Sequence, residues 1–401
     1  MSQMNIRSVT LFAEPDLDPS AMATFFVQAQ RVMPRPVQTV RLATTPFPDW
    51  LRLSDLQNFQ AGDMIQPWLE AGAQFVSLGP VLLKHDAKWL DWLPAIVAQN
   101  EAIFVAAEIA DTCGEVDTGR CLALAGIIRR LSRLKGDGSA NLQFSALANC
   151  RPGTPFFPTA YHAGGAPQFA IAVEAASLIF QAVDGAASLV ETRRAIIEAI
   201  EREAEVIGSA ARELAIDHQL TYGGIDFSLA PFPDSKSSLA GAMEKLGLAH
   251  IGVPGATYAA AFLADAIGRA DFQRCGFSGL FFPVFEDSVL ATRAGAGLIS
   301  VSDLLGYSAV CGAGLDTIPL AGDASLSSLT GILLDIGAMA SRLNKPLTAR
   351  LMPIPGAAPG DPVSIDFPWF APSGAMALAP QGVSGHLSEP VRLHFNSYHP
   401  K

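Results

Sequence analysis

Acidic side chains recur at the ends of the short apolar stretches in this sequence that are typical of β-strands. The four that stand out are Asp226, Glu286, Asp287 and Asp316. Carboxylates that converge in one cavity either exchange protons at a raised pKa or share a divalent cation. The pattern predicts acid or base catalysis by Asp226, Glu286 and Asp316, or a Mg²⁺, Ca²⁺ or Mn²⁺ site formed by Asp226, Asp287 and Asp316. The alternative is that each caps the helix after its strand.

A second group of reactive residues lies in the segment 149–162, which also holds three prolines and two phenylalanines. Prolines reduce the entropy lost on ordering a loop, so this segment is expected to be rigid and to form a pocket wall. Cys150 is a candidate nucleophile with His162 as its base, and a buried, inert thiol is the alternative. Asn149, Arg151 and His162 are expected to contact the substrate. The alternative is that the whole segment is a hydrophobic plug that closes the end of the sheet.

Asp316 occupies an apolar stretch in which Gly312 and Gly314 remove side chains just before it. A buried, ionised carboxylate is costly unless a cation or several N–H donors face it. Arg350 lies on the adjacent candidate strand, so an Asp316–Arg350 ion pair is one interpretation. The other is that Asp316 meets a metal or substrate in the cavity, with Arg350 or Arg151 holding the substrate's charge.

Strands and helices alternate along the chain, which positions these residues. Apolar stretches rich in β-branched and aromatic residues predict ten strands, each followed by a loop and a helical pattern. The strands are expected at 8–14, 38–44, 74–80, 102–108, 142–149, 169–174, 222–229, 278–285, 307–318 and 348–354. Nearly continuous hydrophobic strands indicate an α/β fold with a buried, largely parallel sheet, whose carboxyl ends gather the ligand site.

Composition excludes several classes of protein. Half of the 401 residues are apolar and 16% are charged, which excludes intrinsic disorder. A net charge of −11 argues against binding nucleic acid or an anionic membrane. Five cysteines without a C-x-x-C pair disfavour a disulfide framework or a zinc site. No linker divides residues 1–401, so we expect one domain. The lack of a signal-peptide pattern and of a credible membrane span favours the cytoplasm. An apolar fraction of 50% favours a homodimer or higher homo-oligomer.

Several segments also resemble one known family. These are IRSVTLF (6–12), IDFSLAPFP (225–233), FSGLFFPVFEDS (277–288), AVCGAGLDTIPLAGD (309–323) and NKPLTARLMPIPG (344–356). They resemble the uncharacterised prokaryotic family numbered 711 among the domains of unknown function, over nearly the whole chain. The resemblance implies a ten-stranded α/β barrel similar to that of pyruvate formate-lyase and other glycyl radical enzymes.

The resemblance does not imply radical chemistry. Glycyl radical enzymes carry an Arg-Val-x-Gly-aromatic motif near the C-terminus, and the sequence around Gly385 lacks its arginine and its aromatic residue. Cys150 and Cys311 are possible thiyl positions, but nothing is left to generate the radical. We therefore expect a non-radical hydrolase or lyase that acts on a small polar or anionic metabolite inside the barrel. A non-catalytic metabolite-binding or sensor protein that uses the same cavity is the alternative.

Overall fold

The computed structural model describes residues 4–398, in which strands and helices alternate. The strands are β1 (Asn5–Phe12), β2 (Val37–Ala43), β3 (Phe75–Val81), β4 (Ile103–Ala110), β5 (Glu115–Asp117), β6 (Phe144–Ala148), β7 (Gln168–Glu174), β8 (Thr221–Asp226), β9 (Gly314–Ala321), β10 (Leu347–Ile354), β11 (Pro362–Val363), β12 (Ser373–Gly374) and β13 (Arg392–His394). The helices are α1 (Pro19–Val32), α2 (Phe47–Trp50), α3 (Ala61–Glu70), α4 (Leu93–Val97), α5 (Thr118–Leu131), α6 (Ala176–Gly185), α7 (Leu189–His218), α8 (Leu239–Lys245), α9 (Ala256–Arg269), α10 (Ser288–Gly295), α11 (Val301–Ser308) and α12 (Leu326–Leu343).

One large, mostly parallel sheet organises the fold. Its main strand order is β8-β7-β1-β2-β3-β4-β6-β10-β9. Strands β1, β2, β3, β4 and β6 are parallel, and β7 and β8, like β9 and β10, form parallel pairs. The two groups run in opposite directions because β1 pairs with β7, and β6 with β10, in the antiparallel sense. The α/β class is confirmed, with two antiparallel junctions in place of one parallel series.

The strands just described do not close into a barrel by continuous pairing. The sequence predicts a strand over 278–285, between β8 and β9. Within the described residues this stretch forms only isolated parallel bridges, from Leu280 to Leu229 and from Pro283 to Asp316. Pro283 has no N–H to donate to a strand ladder, which limits regular pairing there.

The two faces of the sheet bury different side chains. Along β1, Val9 and Leu11 join the main apolar cluster with the helices, whereas Ser8 and Thr10 face the opposite side. That opposite side, here called the inner face, packs against residues 150–162, here called the inner loop. The period-2 alternation of a strand explains why polar residues collect on one face.

One helix in the described part of the chain has the length and composition of a membrane span. It is α12, with a mean hydropathy of 1.2, and half of the stretch is buried inside the protein. A core helix of a folded domain meets the same criteria, so this feature carries no argument for a membrane.

Candidate functional site

A cluster of buried, charged side chains lies on the inner face of the sheet. It contains three guanidinium groups and three carboxylates, all at most 9% exposed: Arg7 on β1, Arg41 on β2, Arg350 on β10, Glu174 on β7, Asp316 on β9 and Glu286 in the turn before α10. Charged residues are rarely this buried unless they are paired. The cluster therefore has to be explained by pairing or by a ligand.

Two of the three arginines are fully paired with carboxylates. Arg7 places its two Nη nitrogens 2.5 Å from Glu174 Oε1 and 2.5 Å from Glu286 Oε2. Arg350 Nε donates to Asp316 Oδ1 at 2.6 Å, and its Nη2 lies 3.6 Å from Glu286 Oε1. Burial lowers the pKa of Arg7, but the two carboxylates outweigh it and raise the pKa above its usual value. The Asp316–Arg350 pair is thus present as a structural contact.

Irregularities in strand pairing aim these side chains at the inner face. The β1/β7 register shifts between Ile6 and Ser8, so Arg7 sits at a bulge. On β9, Asp316 and Thr317 together oppose the single residue Arg350 of β10. Thr317 has a φ of 41°, which is rare for a β-branched residue. Bulges commonly re-aim side chains beside functional sites, and these two bring the two ion pairs together.

Arg41 differs from the other two arginines because it has no carboxylate partner. Its Nε donates to Thr39 Oγ1 at 2.7 Å, and its guanidinium lies over the rings of Phe75 and Phe157 at 5.7 and 5.1 Å. No other described residue makes a hydrogen bond or ion pair with its two Nη nitrogens. Burial, reinforced by the positive charge of Arg7, lowers the pKa of Arg41 to about 9. An unpaired, buried cation of this kind marks a place for an anion.

A small cavity of about 30 Å³ lies beside Arg41, here called the Arg41 cavity. This is room for one or two water molecules. Glu286 Oε1 borders it and accepts no hydrogen bond, although it is buried. Phe367 and Trp369 cover the cavity, and the ring of Trp369 lies 5.6 Å from the guanidinium carbon of Arg7. The Nη donors of Arg41 and a carboxylate oxygen whose contact with Arg350 Nη2 is as long as 3.6 Å therefore share one enclosed space.

The inner loop forms the opposite wall of this cavity. Pro155 O accepts a hydrogen bond from Thr10 Oγ1 at 3.0 Å, and Ala160 O accepts one from Ser77 Oγ at 2.8 Å. Phe156 stacks on Phe281 with 4.6 Å between ring centroids. These contacts hold the loop against the sheet, so it acts both as an apolar plug and as a cavity wall.

Cys150 and His162, the expected nucleophile and base, have other partners. Cys150 Sγ lies 3.4 Å from Leu347 O and 3.5 Å from Ala148 O, and burial raises the pKa of its thiol. His162 Nε2 lies 3.3 Å from Gly165 O. Both contacts favour the inert-thiol alternative, because a nucleophilic cysteine needs a base at its sulfur and a lowered pKa.

Asp226 and Asp287 are each held by separate sets of donors. Asp226 accepts hydrogen bonds from the backbone N–H groups of Phe277 and Ser278 and from Ser228 Oγ, while burial raises its pKa to about 6. Asp287 caps α10 and burial raises its pKa as well. Over residues 4–398 no group of three or more His, Cys, Asp or Glu side chains is arranged to hold a metal ion. The metal site formed by Asp226, Asp287 and Asp316 stays a prediction.

Asn149, Cys150 and Arg151 line a second, larger space. This wide cleft has a volume of about 760 Å³ and lies at the carboxyl ends of β1 and β6. The inner loop starts at its wall. Six of the expected site residues therefore fall into two groups, with Glu286, Asp316 and Arg350 at the Arg41 cavity and Asn149, Cys150 and Arg151 at the wide cleft.

Sequence reasoning missed three members of the charged cluster, Arg7, Arg41 and Glu174. A signal for the two arginines was available, since each interrupts an otherwise apolar or uncharged strand, IRSVTLF or QTVRLAT. A charge within a strand that is expected to be buried on both faces points to an interior polar site.

Comparison with known proteins agrees with the quoted motifs. The model of the family described as "Uncharacterised ACR (DUF711)" matches residues 2–367. A UPF0210 protein of Pyrobaculum arsenaticum is 32% identical over 345 residues, which is 81% of this chain and 75% of the relative. A UPF0210 protein of Methanosarcina acetivorans is 28% identical over 376 residues, 88% of this chain and 79% of the relative.

A UPF0210 protein of Pyrobaculum aerophilum is 36% identical over 234 residues, which is 55% of this chain and 51% of the relative. The match therefore spans about half the length of that relative. None of these names specifies a reaction or a ligand. With a family model that matches most of its length, this chain belongs to the DUF711 (UPF0210) family.

Proposed function

We propose that this protein is a non-radical enzyme of the hydrolase or lyase type that binds the anionic group of a small molecule in the Arg41 cavity, which has room for only a few atoms. The observation that carries the proposal is a pair of groups there that make no hydrogen bond with the described residues: the Nη donors of Arg41 and Glu286 Oε1, which only approaches Arg350 Nη2 at 3.6 Å. Buried polar atoms in folded proteins almost always have partners. A substrate with an anionic group next to a proton donor would pair with Arg41 and donate a hydrogen bond to Glu286 Oε1.

The residues around the cavity have separate roles in this proposal. Arg41 binds the anion, and Glu286 Oε1 accepts a proton from the substrate or from an attacking water. Arg7 holds the other oxygen of Glu286, which fixes the orientation of the carboxylate. Asp316 acts through Arg350 and is a positioning residue. Phe367 and Trp369 exclude water, which strengthens the electrostatic interactions inside.

A divalent cation fits this cavity poorly. It would lie among the guanidinium groups of Arg7, Arg41 and Arg350, whose repulsion opposes it. The reaction proposed for this cavity therefore uses no metal, and any site for Mg²⁺, Ca²⁺ or Mn²⁺ would have to lie elsewhere in the chain. Metal-dependent thermal stabilisation would locate such a site.

We also propose that the sheet is the ten-stranded barrel implied by the family resemblance. Nine strands lie on the path from β8 to β9, and the stretch 280–283 bridges Leu229 beyond β8 and Asp316 in β9. If that stretch serves as the tenth strand, the Arg41 cavity lies inside the closed barrel. Such a unit, expected in the cytoplasm as a homo-oligomer, would appear as one protease-resistant domain and sediment faster than a 42.2 kDa particle.

The proposal is tested with a panel of small carboxylates and phosphates. Thermal shift identifies a ligand, and NMR detection of product then decides whether it is turned over. Arg41→Met is expected to abolish the shift, whereas Glu286→Gln keeps binding and loses turnover. Arg35→Met, which breaks an ion pair with Glu203 elsewhere, is the control and keeps both. An unchanged ligand shift in Arg41→Met contradicts the proposal, and binding without turnover supports the non-catalytic alternative.

A further inference from the structure

The wide cleft has the size of a ligand site but takes no part in the chemistry proposed above. Its volume of about 760 Å³ lies within the range of about 300–1,000 Å³ that is usual for small-molecule sites. It opens where β1 and β6 end and where β7, β8 and β10 begin. The carboxyl ends of parallel strands are where α/β proteins place ligands.

The charge of the cleft has the opposite sign to that of the whole protein. The chain carries a net charge of −11, yet the described residues that line the cleft include Arg151 and Arg274 and no acidic side chain. The carboxylate of Asp226 lies beneath Gly276 and accepts hydrogen bonds from backbone N–H groups. Asp271 lies close enough to Arg274 to compensate part of its charge, so Arg151 is the positive charge at the cleft that no described carboxylate pairs with.

The two arginines are presented differently. Arg274 is held in place, since its Nη2 donates to the carbonyls of Ile267 and Ala270 at the end of α9 and its guanidinium stacks on Phe272 at 4.2 Å. Arg151 is exposed and makes no hydrogen bond or ion pair within the described residues. A fixed cation and an exposed, unpaired one can together bind an anionic group.

Amide groups with few or long hydrogen bonds line the same space. The Gln168 side chain makes no hydrogen bond with the described residues. Asn149 Nδ2 donates to Asn344 Oδ1 and to Ala340 O, each at the long distance of 3.5 Å. Amides of this kind bind hydroxyl groups, because each offers both donors and an acceptor.

We propose that the wide cleft is a second binding site, for a small dianion with a hydroxylated body. The two arginines bind the anionic groups, and the amides of Gln168, Asn149 and Asn344 form hydrogen bonds with the hydroxyl groups. The dianion can be a phosphate monoester or a dicarboxylate, since guanidinium groups bind both. The inner loop separates this site from the Arg41 cavity, so the two are expected to fill independently.

Titration calorimetry with three probes tests the proposal: ribose 5-phosphate, tartrate and neutral ribose. At least one dianion is expected to bind at millimolar concentration and to weaken on adding salt, while ribose does not bind. Arg151→Gln should weaken binding about tenfold or more, because a charge-assisted hydrogen bond is lost from an exposed side chain. Arg151→Glu should abolish binding.

Two controls separate this site from the other. Arg133→Gln removes another exposed arginine and should leave the affinity unchanged. Arg41→Met should also leave it unchanged, so failure at one site does not imply failure at the other. Equal binding of ribose and ribose 5-phosphate, full affinity in Arg151→Gln, or no binding of either dianion would overturn the proposal.

Discussion

The substitution Arg41→Met tests whether the buried guanidinium of Arg41 serves ligand binding or the stability of the fold. A structural arginine would stabilise the protein, and its removal would be destabilising. Arg41 instead lacks a carboxylate partner and lies beside two aromatic rings. Methionine has a similar length and packs well against aromatic rings. We therefore expect Arg41→Met to raise the melting temperature while it removes anion binding.

The size of the effect follows from the cost of burying the charge. The pKa of Arg41 is lowered from 12.5 to about 9, which corresponds to a penalty of about 5 kcal/mol at neutral pH. Loss of the two cation–π contacts and the Thr39 hydrogen bond offsets roughly 2–4 kcal/mol of this. The net gain is therefore about 1–3 kcal/mol. At about 2.1 cal/mol/K per residue, the unfolding entropy of 401 residues converts that gain to about 1–4 °C.

Differential scanning calorimetry at neutral pH measures this change, with and without the ligand found by the panel. Arg41→Gln is the matched comparison, since it removes the charge but keeps a donor, and it should gain less stability. A drop of several degrees in the melting temperature of Arg41→Met would refute the reasoning, because it would show that the guanidinium supports the fold. Ligand stabilisation that survives the substitution would refute the assigned role of Arg41 in anion binding.

Three further substitutions have defined outcomes. Burial raises the pKa of Glu108 to about 7, so the folded state keeps this proton to a higher pH than the unfolded state and stability falls as the pH rises from 4.5 to 7. Glu108→Gln should remove about 3 kcal/mol of this fall, as measured by denaturation at a series of pH values. Identical pH profiles for the two proteins would contradict the prediction. Asp316→Asn should lower the free energy of unfolding in urea by about 3 kcal/mol, because Arg350 loses its closest carboxylate. The double variant Asp316→Asn/Arg350→Met should recover most of that loss. Additive losses would show that the two residues are not coupled. Gly276→Ala should lower the free energy of unfolding by about 2 kcal/mol or more, since the added Cβ would clash with the buried carboxylate oxygen Oδ2 of Asp226. The control Gly153→Ala, also at positive φ but with no atom within 4 Å of the added Cβ, should lower it by about 1 kcal/mol. Equal losses would exclude the clash as the cause.

The elements of the fold were largely accessible from the sequence. The patterns at 169–174 and 348–354 agree within a residue with β7 and β10, because β-branched and apolar residues cluster in strands. The expected strand at 307–318 starts too early, since Val301–Ser308 is a helix and β9 begins at Gly314. Apolar periodicity alone does not distinguish a short buried helix from a strand.

The candidate site was only partly accessible. The Asp316–Arg350 pairing was one of the two interpretations available, and the structure shows that contact at 2.6 Å. Glu286 was expected among the site residues, but its partner Arg7 is 279 positions away in the sequence. No local pattern links residues so far apart.

The sequence by itself determined the α/β class, the family and the types of residue available for chemistry. These depend on local periodicity and on motifs that short stretches carry in full. Tertiary structure alone decided which charges meet. Side-chain alternation assigns a residue to a face of its strand, but neither to a neighbouring strand nor to a register. The antiparallel β1/β7 and β6/β10 junctions and the bulges at Arg7 and Asp316 supply that information, and they leave Arg41 facing the cavity without a carboxylate partner among residues 4–398.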